Sequence, residues 1–166
     1  VPLGYMHLKK LQWKIREVWS QKRHGWYAQI PVSRSMVELL KWWTRETNTF
    51  VGVPLKVPTP NLELFTDASL HGYGAIMGDK TMSGIWTRRY KEKHINALEL
   101  EAVRRALLTF ADLVESNTVR IHSDNSTTVA CLKRQGSLKS RTLNKLTAKL
   151  VSWADKNSVT LIPVHI

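Results

Sequence analysis

The spacing of hydrophobic residues differs between the first 51 residues and the rest of the chain. In the first part, apolar positions recur every three or four residues, which predicts two amphipathic helices. The first helix carries Leu8, Leu11, Ile15 and Val18, with Trp19 beside the stripe. The second is predicted to begin at Ser35, where Ser35 and Glu38 fit a capping box. Its apolar face comprises Met36, Leu39, Leu40 and Trp43, and we expect both stripes to be core.

A proline-rich stretch separates the two patterns. Residues 52–60 contain Pro54, Pro58 and Pro60, half of the six prolines in the chain. Proline fixes φ and biases the preceding residue toward extended conformations, so this stretch is predicted to be a stiff linker. We therefore predict a small helical segment over residues 1–51, a linker over residues 52–60 and one globular domain over residues 61–166.

Beyond the linker, alternating apolar positions predict strands. Leu62 and Leu64 alternate up to Asp67, and residues 74–77 and 82–86 fit a hairpin that turns at Gly78-Asp79. A long helix follows, with a stripe formed by Leu100, Val103, Leu107, Phe110 and Val114. The rest is predicted to be a strand over residues 118–124, a helix capped by Asn125 and ended by Gly136, a helix with Leu143, Leu146, Leu150 and Trp153, and a strand with Val159, Leu161 and Val164. The order β-β-β-α-β-α-α-β predicts an α/β fold with a mixed sheet flanked by helices.

Composition and charge narrow the class of partner. The chain of 166 residues has 25 Lys and Arg against 13 Asp and Glu, a net charge of +12, which predicts a polyanionic partner, most simply nucleic acid. The excess is 10 against 3 in residues 1–60 and 15 against 10 in residues 61–166, so both parts share it. The single cysteine, Cys131, excludes an internal disulfide and a Cys-based zinc site, and is expected to be a small core residue. No apolar run approaches 18 residues, so no membrane span is predicted.

Three acidic residues lie on three different predicted elements. Asp67 and Asp124 each end a strand, and sites in α/β sheets form beyond the carboxyl ends of strands. Glu99 is placed in the first turn of the long helix, in line with its core-facing stripe, where a carboxylate requires pairing or a metal. Such a set is predicted to hold two Mg²⁺ ions, with Mn²⁺ as the alternative, about 3.5–4 Å apart, which would activate a water. Without metal, at least one of the carboxyls should have a raised pKa.

Each of these acids also has an ordinary structural interpretation. A strand-end Asp often forms a cap or an Asx turn, and a glutamate in the first turn of a helix is favoured by the helix dipole. His94 is a candidate metal ligand, but no second histidine lies at ligand spacing, which favours a structural hydrogen bond. Trp86 is expected to pack in the core rather than stack on nucleic acid.

Three segments resemble the first three motifs of type 1 ribonuclease H. They are L-F-T-D-A-S at residues 64–69, H-I-N-A-L-E-L-E-A at residues 94–102 and I-H-S-D-N-S-T at residues 121–127. The H-I-N-x-L-E-L form is similar to reverse transcriptases of retrotransposons, especially the tyrosine-recombinase-bearing (DIRS-like) group. The resemblance covers residues 61–166 and implies a ribonuclease H-like mixed sheet, with three antiparallel strands followed by parallel strands. Residues 1–60 resemble the connection segment that follows a polymerase thumb.

This resemblance implies roles for particular residues. Asp67, Glu99 and Asp124 match three of the family's four metal-binding carboxylates, and Asn96 matches a position that contacts the hybrid. Ser69 and Asn125 flank the acids and are assigned to substrate binding. His165 resembles the family's mobile histidine, which assists product release, with a surface role as the alternative. The family's fourth acid would fall beyond Ile166, so we interpret the sequence as a piece of a longer protein. The catalytic site within this piece is then incomplete, and the piece is inactive if the fourth acid is essential.

The basic residues are candidates for phosphate contacts. A ribonuclease H reads the hybrid by shape and by 2′-hydroxyl groups, so salt-dependent contacts from lysine and arginine are expected. The candidates are two clusters, Arg88, Arg89, Lys91 and Lys93 before the H-I-N motif, and Lys133, Arg134, Lys139 and Arg141 around Gly136. For any one of these residues, a solvated surface charge is the alternative.

The sequence therefore predicts magnesium-dependent hydrolysis of the RNA strand of RNA–DNA hybrids. The expected setting is an intracellular retroelement polyprotein that includes a reverse transcriptase domain. Two alternatives stay open: a non-catalytic ribonuclease H-like module that binds nucleic acid or acts as a tether, and a different enzyme on the same fold. The latter would be an integrase-type nuclease or a sugar-kinase-like phosphotransferase, although the short Gly72-Tyr73-Gly74 reads better as strand than as a phosphate loop.

Overall fold

The computed structural model describes residues 1–56 and 58–166, so Val57, in the predicted linker, lies outside the described residues. The chain divides into two compact units, Val1–Leu55 and Lys56–Ile166, and this division falls within residues 52–60. The assignment of residues 1–51 to a connection segment stays a prediction. Among the residues that the structure describes, no helix combines the length and apolar character needed to cross a membrane.

The first unit is helical. Its elements are α1 (Gly4–Val18), α2 (Gln21–His24), α3 (Arg34–Lys41) and α4 (Glu46–Thr49), of which α1 and α3 pack against each other. Gly4 and Met6 of α1 and Met36 of α3 are buried. The expectation that both apolar stripes are core is wrong for Leu8 and Leu40, which are 38% and 45% exposed, because one helix pair covers little of either surface.

The predicted start of the second helix is also wrong. Ser33 is the N-cap of α3, because its Oγ accepts a hydrogen bond from Met36 N at 3.4 Å. Ser35 lies inside the helix, and Glu38 accepts from Lys41 Nζ at 2.9 Å instead of reaching back to the N-cap backbone. The capping box therefore does not form, although a serine cap two residues earlier performs the same function.

The second unit is a five-stranded sheet with helices. The strands are β1 (Leu62–Ala68), β2 (Gly72–Met77), β3 (Lys80–Ile85), β4 (Thr118–Ser123) and β5 (Thr160–His165). The helices are α5 (Arg88–Lys91), α6 (Ile95–Thr109), α7 (Ala111–Val114), α8 (Ser126–Lys133) and α9 (Arg141–Lys156). The predicted order of elements is confirmed, and the single-turn helices α5 and α7 are additions to it. Gly78 turns the β2–β3 hairpin at φ 60°, a conformation that glycine adopts without strain.

The sheet is mixed, as predicted. Its order is β3-β2-β1-β4-β5, with β1, β2 and β3 antiparallel and β1, β4 and β5 parallel. Helix α6 packs on β1 and β2, and its stripe joins Val119 and Ile121 of β4 in the core. Cys131 and Trp86 are 4% and 2% exposed, which confirms both as core residues. This arrangement brings the carboxyl ends of β1 and β4 to the same edge beside the first turns of α6.

Two helix ends position the loops at that edge. His94 is the N-cap of α6, with its Nδ1 accepting from Asn96 N at 3.2 Å, so His94 makes the predicted structural hydrogen bond. Because α6 begins at Ile95, Glu99 is its fifth residue and lies in the second turn, which corrects the predicted first-turn placement. At the end of α8, Gly136 donates its N–H to Cys131 O at 2.9 Å from φ 143°, two residues after the C-cap Arg134.

Candidate metal centre and nucleic-acid surface

The structure brings Asp67, Glu99 and Asp124 together at one edge of the sheet. Asp67 lies one residue before the end of β1, and Asp124 follows β4 directly. These strands are parallel neighbours, paired through Phe65 and His122, so their carboxyl ends lie side by side. Glu99 reaches the same point from α6, and one oxygen from each carboxylate lies within 4.8 Å of the others.

Glu99 is the buried member of this cluster. It is 4% exposed, whereas Asp67 and Asp124 are exposed to solvent. Its Oε1 accepts a hydrogen bond from Ala68 N at 3.3 Å, and its Oε2 is buried with no hydrogen-bond partner among the described residues. Burial first, and then the charges of Asp124 and Asp67, raise the pKa of Glu99 to about 7, although the bond from Ala68 opposes the rise.

The donor set fits a hard divalent cation. All three groups offer carboxylate oxygens, which such cations prefer, and a cation would neutralise the repulsion that raises the pKa of Glu99. The buried Oε2 of Glu99 supplies a second, independent indication, because a buried acceptor without a donor costs free energy unless something binds it. The residues that could hold a metal are therefore Asp67, Glu99 and Asp124.

Replacing Glu99 with glutamine is expected to stabilise the metal-free protein above pH 7. The folded pKa of Glu99, about 7, exceeds its ordinary value of 4.5. Between those values the unfolded chain has released a proton that the folded chain retains, so wild-type stability falls as the pH rises, by up to about 3 kcal/mol. Glu99→Gln cannot ionise and should lose this dependence. Urea unfolding in the presence of a chelator, near pH 5 and near pH 8, measures this change in the free energy of unfolding, and the exposed Glu115→Gln serves as the control. If the free energy of unfolding changed equally with pH in wild type and Glu99→Gln, the raised pKa of Glu99 would be contradicted.

An asparagine pair lies next to the acids. Asn125 caps α8, with its Oδ1 accepting from Thr128 N at 2.9 Å, and its Nδ2 donates to Asn96 Oδ1 at 2.9 Å. Asn96 Nδ2 in turn donates to Thr127 Oγ1 at 3.4 Å. The structure thus joins two predicted substrate-binding residues directly, and it adds a further partner of Asn96, Thr127, that the sequence analysis missed. The cap signal at Asn125 pointed to α8 but not to the contact across to α6.

Ser69 and His165 both have backbone partners. Ser69 Oγ accepts from His71 N and Gly72 N at 3.1 Å each, which shapes the turn between β1 and β2. His165, at the exposed end of β5, donates from Nε2 to the Asp124 carbonyl at 2.9 Å. These bonds fix Ser69 in the turn that follows Asp67 and place His165 against the backbone of Asp124. The roles of Ser69 in substrate binding and of His165 in product release stay predictions.

A groove of about 600 Å³ runs beside the asparagine pair. It lies between the start of α6 and the loop before α9, and its lining includes Lys93, His94, Asn96, Thr127, Lys139 and Ser140. Lys93 and Lys139 come from the two different predicted basic clusters, so the structure brings one member of each to one groove. Arg88 and Arg89, on α5, and Lys133 and Arg134, at the end of α8, are exposed and are not part of this lining.

Comparison with solved structures identifies the fold. LC11-RNase H1, isolated from compost by a metagenomic approach, superposes with a TM-score of 0.53 at 23% identity, covering 65% of this chain and 85% of that chain. The same protein in complex with an RNA/DNA hybrid gives 0.54 at 21% identity, covering 64% and 85%. RNase H1 from the archaeon Halobacterium salinarum gives 0.50 at 14% identity, covering 63% and 84%. The sheet and its helices therefore have the ribonuclease H fold.

The foamy viral protease-reverse transcriptase, in complex with an RNA/DNA hybrid, superposes with a TM-score of only 0.48 at 15% identity, and the match covers 99% of this chain and 22% of that chain. No protein-family model and no curated protein matches the chain. The assignment to a DIRS-like retrotransposon stays a prediction from the H-I-N-A-L-E-L motif.

Proposed function

We propose that the second unit hydrolyses the RNA strand of RNA–DNA hybrids with Mg²⁺. The observation that carries this proposal is the convergence of Asp67, Glu99 and Asp124 at the carboxyl ends of two parallel strands, with a buried oxygen of Glu99 left without a donor. In a ribonuclease H fold, that arrangement is suited to phosphodiester hydrolysis. Fold alone does not define an activity, so the acidic site is the main support.

The three carboxylates would hold two divalent ions, Mg²⁺ or alternatively Mn²⁺. Bound there, such ions would supply a water molecule with a lowered pKa and would stabilise the leaving oxygen of an in-line displacement. Asp67 and Asp124 present their oxygens to solvent, from which a phosphate can approach, whereas Glu99 is buried and would hold the ions from within the protein. Because the pKa of Glu99 is about 7 without metal, ion binding should release a proton near neutral pH and strengthen as the pH rises.

The neighbouring polar and basic residues would position the hybrid. We assign contacts with sugar and phosphate groups to Ser69, Asn96 and Asn125, beside the acids. Lys93 and Lys139 in the groove, with Arg88, Arg89, Lys133 and Arg134 on the surrounding surface, would neutralise phosphates and make binding salt-dependent. His165 is assigned to product release because it resembles the family's mobile histidine, and its contact with the backbone of Asp124 places it beside the acids.

The wider setting is also part of the proposal. The resemblance of H-I-N-A-L-E-L to retrotransposon enzymes supports a role within an intracellular retroelement polyprotein, after a reverse transcriptase domain. Residues 1–51 would then be a connection segment.

Selectivity among nucleic acids tests this function. The test uses the chain in an extended form that includes the fourth carboxylate implied by the resemblance. With Mg²⁺, this form is expected to cleave the RNA strand of a labelled hybrid and to leave single-stranded RNA, duplex RNA and duplex DNA intact; a chelator should abolish the cleavage. Duplex DNA cleavage would favour an integrase-type nuclease instead. Hybrid binding without cleavage, and without Mg²⁺-dependent thermal stabilisation, would contradict the proposal and favour a non-catalytic module.

A further inference from the structure

A short aromatic loop in the first unit has large exposed rings. This aromatic loop comprises residues 19–27 and includes α2. Trp26 is 71% exposed and Tyr27 is fully exposed. Two exposed aromatic rings in succession are unusual on a protein surface, because each leaves a large apolar area in water, and such areas commonly mark binding sites.

The backbone that carries these rings is held by bonds within the loop. Trp19 Nε1 donates to Gly25 O at 2.8 Å, and the Trp19 and Trp26 rings lie 5.5 Å apart. Ser20 N donates to His24 Nδ1 at 3.1 Å, and Arg23 Nε donates to Ser20 Oγ at 3.3 Å. The loop therefore presents Trp26 and Tyr27 from a defined conformation, which lowers the entropy cost of binding.

The charge around the rings has one sign. Lys22 and Arg23 lie on α2, three to four residues before Trp26, and both are exposed. From residue 18 to residue 37 the sequence contains no Asp or Glu. A ligand for this loop should therefore be anionic as well as able to stack on aromatic rings, because neither an apolar nor a cationic partner would use both features.

Unpaired nucleotides combine those two properties. We propose that the aromatic loop binds single-stranded nucleic acid, with Trp26 and Tyr27 stacking on bases and Lys22 and Arg23 contacting phosphates. In a duplex the bases are already stacked on one another, so a single strand fits the loop better than a blunt duplex. This site goes beyond the proposed hydrolysis, since it lies in the other unit and performs no chemistry.

Binding of a labelled dT12 strand, followed by fluorescence anisotropy, tests the proposal. The double variant Trp26→Ala/Tyr27→Ala should bind dT12 at least about tenfold more weakly than wild type, while Trp26→Phe should retain most of the affinity because it can still stack. The matched control is Phe50→Ala, which removes an aromatic ring that is 79% exposed in the same unit. Phe50 lies outside the aromatic loop, next to a helix that contains the acidic Glu46, so this variant should bind dT12 as wild type does. Lys22→Gln/Arg23→Gln should reduce the slope of log Kd against log salt concentration by about 1.4, because two phosphate contacts are lost.

The outcomes separate this site from its competitors. Equal dT12 affinity for wild type and the double variant would overturn the proposal. An equal loss of affinity for dT12 and for a blunt duplex in the double variant would overturn it as well. If the double variant lost binding to vesicles containing phosphatidylserine but bound dT12 as wild type does, the proposal would be overturned in favour of a membrane surface. Asp124→Asn should leave dT12 binding unchanged, and the double variant should cleave a blunt hybrid normally, so the two proposals can fail independently.

Discussion

Asp124→Asn is expected to slow cleavage of a hybrid by at least about 10³-fold at fixed Mg²⁺, equivalent to about 4 kcal/mol of transition-state stabilisation. The variant keeps the shape of the side chain but removes one of three negative charges that converge at the site. Asp67→Asn should have a similar effect for the same reason. Single-turnover cleavage of an end-labelled hybrid measures the change, because it separates the chemical step from product release.

A matched variant distinguishes this effect from a general loss of charge. Asp79→Asn makes the same chemical change at an exposed position in the β2–β3 turn and should cleave at the wild-type rate. The melting temperature tests whether the variant misfolds. Asp124 makes the largest charge contribution to the raised pKa of Glu99, so its replacement relieves repulsion in the metal-free protein. Metal-free Asp124→Asn should therefore melt no lower than wild type. Cleavage by Asp67→Asn or Asp124→Asn at the wild-type rate would show that these residues do not hold the catalytic metal.

Glu101→Ala is expected to destabilise the second unit by about 2–3 kcal/mol, because it removes a buried carboxylate that pairs with two half-buried arginines. The Glu101 carboxylate is 1% exposed and accepts from Arg104 Nε at 2.9 Å and Nη2 at 2.7 Å. Tyr90 OH, at 3.1 Å, and Arg105 Nε, at 3.4 Å, donate to its Oε1 as well. Removal of Glu101 leaves these donors without their common acceptor.

Aromatic rings shield this ion pair. The Arg105 guanidinium lies 4.7 Å from the Tyr73 ring centroid, 5.1 Å from Trp86 and 5.0 Å from Tyr90, and its Nη1 donates to Tyr73 OH at 2.7 Å. Arg105 is therefore held to rings from outside α6 as well as to Glu101. Such desolvated contacts are stronger than a solvated surface pair, so we expect a loss well above the 0–1 kcal/mol typical of exposed pairs.

Urea unfolding near pH 7 measures the loss, with exposed Glu115→Ala as a control that should stay within about 0.5 kcal/mol of wild type. A Glu101→Ala loss below 1 kcal/mol would show that the pair is not desolvated. Burial would raise the pKa of Glu101, but hydrogen bonds and charge from Arg104, with bonds from Tyr90 and Arg105, outweigh it and lower the pKa. The contribution of Glu101 is thus present above its ordinary pKa and lost as the pH falls through the folded value, opposite in sign to that of Glu99.

The acidic site could be predicted because its residues follow rules of position. The carboxyl ends of neighbouring parallel strands meet at one edge of a sheet, and this rule placed Asp67 and Asp124. A carboxylate on an apolar helical stripe requires pairing or a metal, and this rule singled out Glu99. The exact turn of α6 that carries Glu99 depended on the His94 cap, and histidine is a less common cap than serine or asparagine. The error there was therefore local and left the site intact.

Contacts between elements were harder to infer. The sequence spacing of Glu101, Arg104 and Arg105 is typical of a solvated salt bridge on a helix. Only the packing of Tyr73 and Trp86 against Arg105 shows that these charged side chains are covered. The two stripes of the first unit illustrate the converse. Periodicity predicted helices correctly, but burial depends on how much partner surface exists, and a small helical pair leaves Leu8 and Leu40 exposed.

Anomalous diffraction from crystals of the chain grown with Mn²⁺ tests the metal centre most directly, because it locates the ion without relying on activity. We expect at least one strong peak within coordination distance of oxygens from Asp67, Glu99 and Asp124, and no such peak at this place in Asp67→Asn/Asp124→Asn crystals grown in the same way. Saturating Mn²⁺ with no peak at these carboxylates, or with peaks at other residues alone, would contradict the claim that they form the metal site.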